Sequence, residues 1–371
     1  MKANIHDMPI EPKSLPLPPN AILRPEALQV PLDAAAVAAE IARGGLAMDR
    51  SVPPRQFAGG LANLNYLIRL EGGWAVLRRP PSGPLPPGAN DMAREHRILS
   101  RLWQALPLAP RGLHLCTDPS VIGVPFQILE FRSGLTLRGD SLAPLPATAE
   151  TGRALSAMLV ETLADVHAVR PETVGLDTLG RPEGFFRRQV RGWLGRAADV
   201  AGGDLPDVAR RIADWLEACP EPQDDGPVLL HSDVKLDNLL LDPATLRATT
   251  LVDWDMGTRG PAMFDLATML SYWTEPGDPP AMHRLAQMPT ASPGFASREG
   301  AARAYADLTG RSIDDIRPWR VLTVLKLAVV FLQLHRRHVT GETADPRYAA
   351  FGELGTDLYA FALDIARGRL F

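Results

Sequence analysis

Four side chains near the middle of the chain have the types and the spacing that phosphoryl transfer needs. Asp233 and Lys235 are followed by Asn238, and Asp253 comes after a further apolar stretch. A carboxylate and an amide oxygen bind hard cations such as Mg²⁺. A second carboxylate can orient and deprotonate a hydroxyl, while an ammonium group balances charge on a transferring phosphate. The segment from His231 to Asp253 is therefore the candidate catalytic centre.

Apolar residues between these side chains predict a β-hairpin. Its two strands are expected at residues 239–241 and 250–252. If Leu240 pairs with Leu251, the antiparallel register puts Asn238 opposite Asp253 at the open end of the hairpin. This register predicts that an amide oxygen and a carboxylate share one metal ion.

The same segment resembles the catalytic loop of kinases. His231-Ser-Asp-Val-Lys-Leu-Asp-Asn238 matches the pattern H-R-D-x-x-x-x-N, and Asp253 lies where kinases have the aspartate of D-F-G. Trp254-Asp255 and Phe264-Asp265-Leu-Ala are more similar to the aminoglycoside phosphotransferase and choline kinase family. That family has H-G-D-x-x-x-x-N, D-W-E and a later D-L-A, so the chain departs from it at Ser232.

The resemblance implies a role for each polar side chain. Asp233 is the implied catalytic base, and Lys235 is the implied contact to the transferring phosphate. The implied metal ligands are Asn238, Asp253 and Asp255. Asp255 replaces the usual glutamate, which keeps a carboxylate at that position. The implied cofactors are ATP, with GTP as the alternative donor, and Mg²⁺.

The first third of the sequence supplies the nucleotide-binding parts that the resemblance implies. One turn resembles the loop that covers the phosphates, since glycine lets backbone N–H groups come close to ATP. Its candidate residues are Gly59, Gly60, Asn63 and Asn65. Arg78 or its neighbour Arg79 lies where kinases have the β3 lysine, although a guanidinium is bulkier and binds in a fork. Glu95 is the implied helix partner, and Glu130 with Phe131 resembles the hinge that binds adenine.

Two kinds of structure must position these parts. Apolar and alternating patterns predict strands in the first third of the chain. Spacings of three and four, as at Leu155, Leu159 and Leu163, predict helices in the remainder. This order predicts an α+β, two-lobe fold, and the resemblance implies a bilobal protein-kinase-like fold. We expect a proline-rich arm at 1–31, a sheet-rich N-lobe at 32–131 and a helix-rich C-lobe at 132–371.

Four short segments look closest to the kinase-like domains related to those fused to some acyl-CoA dehydrogenases. The segments are Val76 to Pro81, Asp118 to Pro125, Phe186 to Val190 and Ser297 to Glu299. For such domains the implied acceptor is a small hydroxylated metabolite, such as a hydroxyacyl thioester, rather than an antibiotic. The sequence does not identify the acceptor, because a fold can host many substrates.

Composition limits the classes of partner. The chain has 371 residues, and its formal net charge of −4 gives no general attraction to nucleic acid or to an anionic membrane. Its two cysteines are far apart and fit a reducing compartment. Prolines break the N-terminal segment, which lacks the apolar core of a signal peptide. We therefore expect a cytoplasmic protein with a small-molecule partner, and the oligomeric state stays open.

Two other functions stay open. A protein kinase needs an activation segment, but Asp253 is only twelve positions before Asp265. A catalytically silent nucleotide-binding protein would explain an arginine at position 78. The retained Asp233 and Asp253 argue against it. His231 is interpreted as a packing and hydrogen-bonding residue rather than as an acid or base.

Overall fold

The structure is a computed structural model that describes residues 17–18, 21–58, 63–81, 90–223, 225–343, 346–369 and 371. Its α-helices are α1 (Ala34–Arg43), α2 (Met92–Leu102), α3 (Ala149–Ala168), α4 (Phe185–Ala201), α5 (Asp207–Ala218), α6 (Ala262–Ser271), α7 (Pro280–Leu285), α8 (Arg298–Thr309), α9 (Ile316–Val339) and α10 (Phe351–Ala366). Its strands are β1 (Arg55–Gln56), β2 (Leu64–Leu70), β3 (Gly73–Arg79), β4 (Gly112–Cys116), β5 (Phe126–Glu130), β6 (Val228–Leu230), β7 (Leu239–Leu241), β8 (Ala248–Leu251) and β9 (Thr258–Gly260). The predicted phosphate-loop glycines, Gly59 and Gly60, lie outside the described residues.

The N-terminal part is a five-stranded antiparallel sheet in the order β1-β2-β3-β5-β4. A tight turn joins β2 to β3, and Gly73 adopts there a φ of 143° that L side chains rarely reach. Helix α2 lies against β4 and β5. It begins where the Asp91 carboxylate accepts a hydrogen bond from the Arg94 amide, which satisfies one of the free N–H groups of its first turn. Helix α2 thus packs at the β5–β4 end of the sheet, where β5 is the neighbour of β3.

Residues 21–31, at the end of the predicted arm, follow the edge of this sheet. The Arg24 amide donates to the Gln56 carbonyl at 2.8 Å, and the Val30 amide donates to the Gln56 side chain at 2.7 Å. The Tyr66 hydroxyl donates to the Val30 carbonyl at 2.9 Å. Because an edge strand exposes unpaired backbone groups, this segment covers part of the β1 edge.

The C-terminal part is built around α9. This helix contacts α6, α10 and α4, and Val321, Leu322, Val324 and Leu325 are fully buried. By length and hydropathy alone α9 is apolar enough to cross a membrane, but 67% of its apolar window is buried inside the protein. Burial of this kind is typical of the core helix of a helical lobe.

The register of the β7–β8 hairpin differs by one residue from the prediction. Leu239 pairs with Leu251 and Leu240 pairs with Thr250, and the Val252 amide donates to the Asn238 carbonyl at 2.9 Å. The prediction that Asn238 faces Asp253 is therefore wrong. A run of three leucines has no alternation of polar and apolar residues, so it does not fix the register.

Backbone hydrogen bonds fasten this hairpin to the rest of the molecule. Leu241 exchanges two hydrogen bonds of 2.8 Å with Leu135, just after the predicted hinge. The Leu251 amide donates to the Leu108 carbonyl at 2.9 Å, in the segment that follows α2. The hairpin therefore has a fixed position relative to both parts of the chain.

Candidate active site

The loop between β6 and β7 is held by α6 and α9. Asp265 of α6 is fully buried, and its two carboxylate oxygens accept from the His231 and Ser232 amides at 2.7 and 2.6 Å. Lys326 of α9 donates to the Ser232 carbonyl at 3.0 Å. These two side chains bind the amide and the carbonyl of Ser232 and so fix the backbone that carries Asp233.

Ser232 adopts a left-handed conformation with a φ of 69°. A side chain in this region costs roughly 1–2 kcal/mol, and the buried Ser232 hydroxyl has no hydrogen-bond partner among the described residues. The similar family has glycine here, and glycine adopts this φ without steric cost. The hydrogen bonds of Asp265 and Lys326 hold the loop in this conformation, and serine is tolerated at position 232 for that reason.

We expect Ser232→Gly to stabilise the protein by about 1 kcal/mol, or roughly 2 °C in melting temperature. The substitution removes both the steric cost and the cost of the unpartnered hydroxyl. Together these gains in free energy exceed the entropic cost of ordering the more flexible glycine. Ser232→Ala is the matched control, since it removes the hydroxyl alone, and its gain should be smaller. Calorimetry of the two variants checks this, and a destabilised Ser232→Gly protein would contradict it.

The Asp233 carboxylate is surrounded by hydrogen-bond donors. Its Oδ1 accepts from the Tyr272 hydroxyl at 2.5 Å and from the Lys235 ammonium at 3.3 Å. Its Oδ2 lies 2.8 Å from the Asn238 amide nitrogen and 3.1 Å from the Lys235 ammonium. The prediction that Asp233, Lys235 and Asn238 lie together therefore agrees with the structure, whereas Tyr272 was not predicted.

These donors set the charge of Asp233 and Lys235. Burial opposes ionisation of Asp233, but Lys235, Lys326 and the Tyr272 hydroxyl outweigh it and hold the carboxyl pKa below its ordinary value. Burial also opposes the charge of Lys235, but Asp233 raises the pKa of that ammonium. Both groups are therefore charged at neutral pH.

The amide of Asn238 has a defined orientation. Its nitrogen donates to the main-chain carbonyl and to the carboxylate of Asp233, each at 2.8 Å. The nitrogen is thus occupied by Asp233, and the amide oxygen points away from that carboxylate. An amide oxygen in this orientation remains free to bind a hard cation.

Arg78 of β3 joins three acidic residues from different elements. Its guanidinium lies 2.7 Å from Glu95 of α2 and 3.9 Å from Asp255, and it forms an ion pair with Asp253. Its neighbour Arg79 instead donates to the Pro80 carbonyl at 3.1 Å. Of the two candidates for the β3-lysine position, Arg78 is therefore the one in contact with the acidic groups.

Glu95 ties this cluster to the sheet and to the end of the hairpin. Its carboxylate accepts from Gln127 of β5 at 2.6 Å and from the Trp254 amide at 3.1 Å. It is fully buried, and burial raises its pKa although Arg78 opposes this. Glu95 therefore holds the backbone next to Asp253.

Acidic side chains outnumber the arginine that they contact in this cluster. Arg78 is one cation for the carboxylates of Glu95, Asp253 and Asp255. Burial and the neighbouring Asp253 raise the pKa of Asp255 to about 8. A carboxyl with such a pKa lies where a bound cation would be stabilised.

The asparagines of the predicted phosphate loop lie at this cluster. The Asn63 amide donates to Asp255 at 3.3 Å and accepts from Asn90 at 2.7 Å. Asn65 of β2 pairs with Arg78 of β3, so the two side chains share one face of the sheet. Asn63 therefore contacts a predicted metal ligand, and Asn65 flanks the arginine.

At the predicted hinge, the side chain of Glu130 turns toward β4. It accepts from the Arg111 amide at 3.0 Å and from Arg132 at 3.2 Å. The ring of Phe131 is nearly parallel to that of Phe57, with centroids 6.5 Å apart. The Glu130 side chain is thus engaged within the sheet, and any hinge role falls to the backbone.

Sequence reasoning missed several residues of the site. Tyr272 and Phe57 belong to no motif, and they reach Asp233 and Phe131 only through the fold. Arg94 donates to the Asp255 carbonyl at 3.3 Å. The sequence offered one signal for Arg94, its position directly before Glu95. The two residues lie in the first turn of α2, which faces the cluster.

Comparisons with known sequences give a family match and a partial relative. The sequence profile of the "Phosphotransferase enzyme family" matches residues 54–301. Acyl-CoA dehydrogenase family member 11 from Gallus gallus is 33% identical over 221 residues, which cover 59% of this chain and 28% of that protein. The chain therefore matches less than a third of that relative's length.

Two solved structures share the fold. A Ralstonia eutropha JMP134 protein assigned as an aminoglycoside phosphotransferase has a TM-score of 0.74 and 24% identity, covering 91% of this chain and 98% of its own. Spectinomycin phosphotransferase, in complex with ADP and spectinomycin, has a TM-score of 0.55 and 12% identity, covering 91% and 99%. The predicted α+β, bilobal protein-kinase-like fold is confirmed.

Proposed function

Because this chain belongs to the phosphotransferase enzyme family, we propose that it moves the γ-phosphate of ATP to a hydroxyl of a small molecule. Asp233 accepts the hydroxyl proton and Lys235 contacts the transferring phosphate. Arg78 contacts the phosphates of the nucleotide, which the residues around Asn63 and Phe131 help to bind. The nucleotide assignment is supported by the ADP complex of spectinomycin phosphotransferase.

One observation carries the proposal. Asp233 is a charged carboxylate in contact with an ammonium group, Lys235, and with an amide, Asn238. Asn238 directly precedes β7. The strand that pairs with β7 is β8, and Asp253 lies two residues after its end. A base, a cation for phosphate and oxygen ligands for a metal are thus adjacent, which is the set of groups that phosphoryl transfer requires.

The residues also fit Mg²⁺. Asp253 and Asp255 supply carboxylate oxygens, and the amide oxygen of Asn238 is turned away from Asp233. Among the described residues, no three His, Cys, Asp or Glu side chains are grouped as a metal site. Mg²⁺ commonly takes one or two carboxylates together with phosphate oxygens and water. When bound, it would neutralise charge on the phosphates and balance the excess of carboxylates around Arg78.

The protein-kinase alternative is disfavoured by the chain after Asp253. Only β9 and its short connections lie between Asp253 and the start of α6. A protein substrate docks on an activation segment, for which this stretch is too short. The silent alternative is disfavoured by Arg78, whose ion pairs with Glu95 and Asp253 replace those that a lysine would make.

The acceptor class is proposed from the partial relative. Because the chicken relative is named an acyl-CoA dehydrogenase family member, hydroxyacyl thioesters are the acceptors to test first. Amino alcohols, sugars and aminoglycosides are the competing classes.

A transfer screen tests the proposed function. The purified protein is incubated with ATP labelled in the γ-phosphate, Mg²⁺ and a panel of the four acceptor classes, and the labelled product is identified by mass spectrometry. We expect one class to be phosphorylated, and the hydroxyacyl thioesters to have the highest kcat/KM. Omission of Mg²⁺ should stop transfer. Turnover of peptides at the rate of the best small molecule would contradict the proposal.

A further inference from the structure

We propose that Tyr272 is a positioning residue for phosphotransfer, whose hydroxyl holds the Asp233 carboxylate in the orientation that receives the acceptor proton. The inference rests on the proposed role of Asp233 as the base. It adds to that role a residue that no motif indicates.

Helix α6 holds the catalytic loop at two levels. Near its start, Asp265 binds the amides of His231 and Ser232 and so fixes the loop backbone. Just after its end, Tyr272 donates to Asp233 Oδ1 at 2.5 Å and so fixes the side chain. One rigid element therefore determines both where Asp233 lies and which way its carboxylate faces.

Tyr272 is itself held in place. Its amide donates to the Met269 carbonyl at 3.2 Å, which continues the last turn of α6. The residue is 7% exposed, and the Lys235 ammonium lies 4.8 Å from the centre of its ring. Such a cation–π contact is favourable at a partly desolvated site. The ring thus packs under the same lysine that contacts Asp233.

The donors around Asp233 fill its accepting positions. A carboxylate has about four lone-pair sites, and here each oxygen meets two donors. Oδ1 has Tyr272 and Lys235, while Oδ2 has Asn238 and Lys235. An acceptor hydroxyl therefore needs one of these donors to leave.

Lys235 is the donor that can leave. A transferring phosphate attracts its ammonium, and its move frees one position on each carboxylate oxygen of Asp233. Tyr272 and Asn238 then remain, one neutral donor on each oxygen, and keep the plane of the carboxylate fixed. Burial and the charge of Asp233 raise the pKa of Tyr272 well above its ordinary value, so the phenol keeps its proton and continues to donate.

The reaction balances with Tyr272 unchanged. The acceptor oxygen forms a bond to the γ-phosphorus of ATP, the bond from that phosphorus to the β–γ bridging oxygen breaks, and ADP leaves. The hydroxyl proton passes to Asp233 and later to solvent. The phenol acts only through the orientation of Asp233, on which transfer depends steeply.

Tyr272→Phe tests the role, with Tyr359→Phe as its matched control. Tyr359 of α10 is also buried, and its hydroxyl has no hydrogen-bond partner among the described residues. ATP turnover is measured with the best acceptor of the screen and also with water alone. Each variant is made in the wild-type and in the Asp233→Asn background, and ADP binding by calorimetry verifies that the proteins are folded.

We expect Tyr272→Phe to lower kcat about ten- to hundredfold with the KM for ATP unchanged, because a misdirected base loses rate rather than nucleotide affinity. Tyr359→Phe should stay within about twofold of wild type. In the Asp233→Asn background, Tyr272→Phe should change nothing further, since coupled residues are not additive.

A Tyr272→Phe protein with wild-type kcat overturns the inference. The inference also fails if Tyr272→Phe lowers kcat by the same factor in the Asp233→Asn background as in wild type. Wild-type turnover that does not depend on Asp233 defeats the proposed function instead. The two failures are therefore distinguishable.

Discussion

We expect Asp233→Asn to lower the kcat of phosphotransfer by about a hundredfold or more and to leave the affinity for ATP within about threefold of wild type. The substitution keeps the size of the side chain and an oxygen that accepts from Tyr272 or Asn238. It removes the charge that Lys235 pairs with and the basic oxygen that receives the acceptor proton. The loss should therefore fall on kcat rather than on nucleotide binding.

Asp242→Asn in the same hairpin is the matched control. Asp242 accepts from the Ala244 and Thr245 amides at the far end of the turn, and asparagine accepts such bonds equally well. Steady-state kinetics and ADP calorimetry of both variants check the prediction. An Asp233→Asn enzyme with the kcat of Asp242→Asn would show that Asp233 is not the base.

The fold was predictable because its local signals agree with one another. Asp33 directly precedes α1, and its carboxylate accepts from the Ala35 and Ala36 amides. Asp91 does the same for α2. Capping and the spacing of apolar residues depend on neighbours in the chain, so sequence reveals them. The prediction of a small-molecule phosphotransferase is likewise confirmed at the level of the family.

The hairpin register shows where this reasoning stops. Leu239 and Leu241 are fully buried while Leu240 is half-buried, and the pairing shifts between Leu240 and Leu241. The three residues are identical in type, so only tertiary packing determines which of them face the core. The pairing predicted for Asn238 and Asp253 was therefore wrong by one residue, and their role as metal ligands stays a prediction.

Two arginines could not be told apart from sequence. Arg78 and Arg79 are adjacent, and successive side chains of a strand point to opposite faces. Only the direction of β3 in the sheet decides which one reaches Glu95. Tyr272 was beyond sequence reasoning for a related reason, since it comes to Asp233 from the end of a helix 39 residues further along the chain.

Two carboxyl groups of the site, those of Asp233 and Asp255, have opposite environments. Asp233 is surrounded by Lys235, Lys326 and Tyr272, and its pKa is lowered. Asp255 lies beside Asp253 with one shared arginine, and its pKa is raised to about 8. Environments that push carboxyl pKa values apart often mark different chemical roles. The first group is ionised at neutral pH, whereas the ionised form of the second would be favoured by a cation bound beside it.

Asp253→Asn is expected to abolish phosphotransfer without lowering stability. Asp253 has a φ of 71°, and asparagine tolerates this left-handed conformation better than most residues. Arg78 keeps its ion pair with Glu95 at 2.7 Å. Because the cluster holds three carboxylates for one guanidinium, removal of one charge relieves repulsion. The melting temperature without ligands should equal or exceed that of wild type.

Magnesium separates this loss from simple damage to the fold. Ligands that bind the folded state raise the melting temperature, so Mg²⁺ added with ADP should raise it further than ADP alone in wild type. In Asp253→Asn, Mg²⁺ should add nothing to the effect of ADP. Asp253→Ala is the comparison, and it should melt lower because alanine disfavours the left-handed conformation by about 1 kcal/mol. A Mg²⁺ response of wild-type size in Asp253→Asn would contradict the metal assignment, because the carboxylate would then be dispensable for binding the cation.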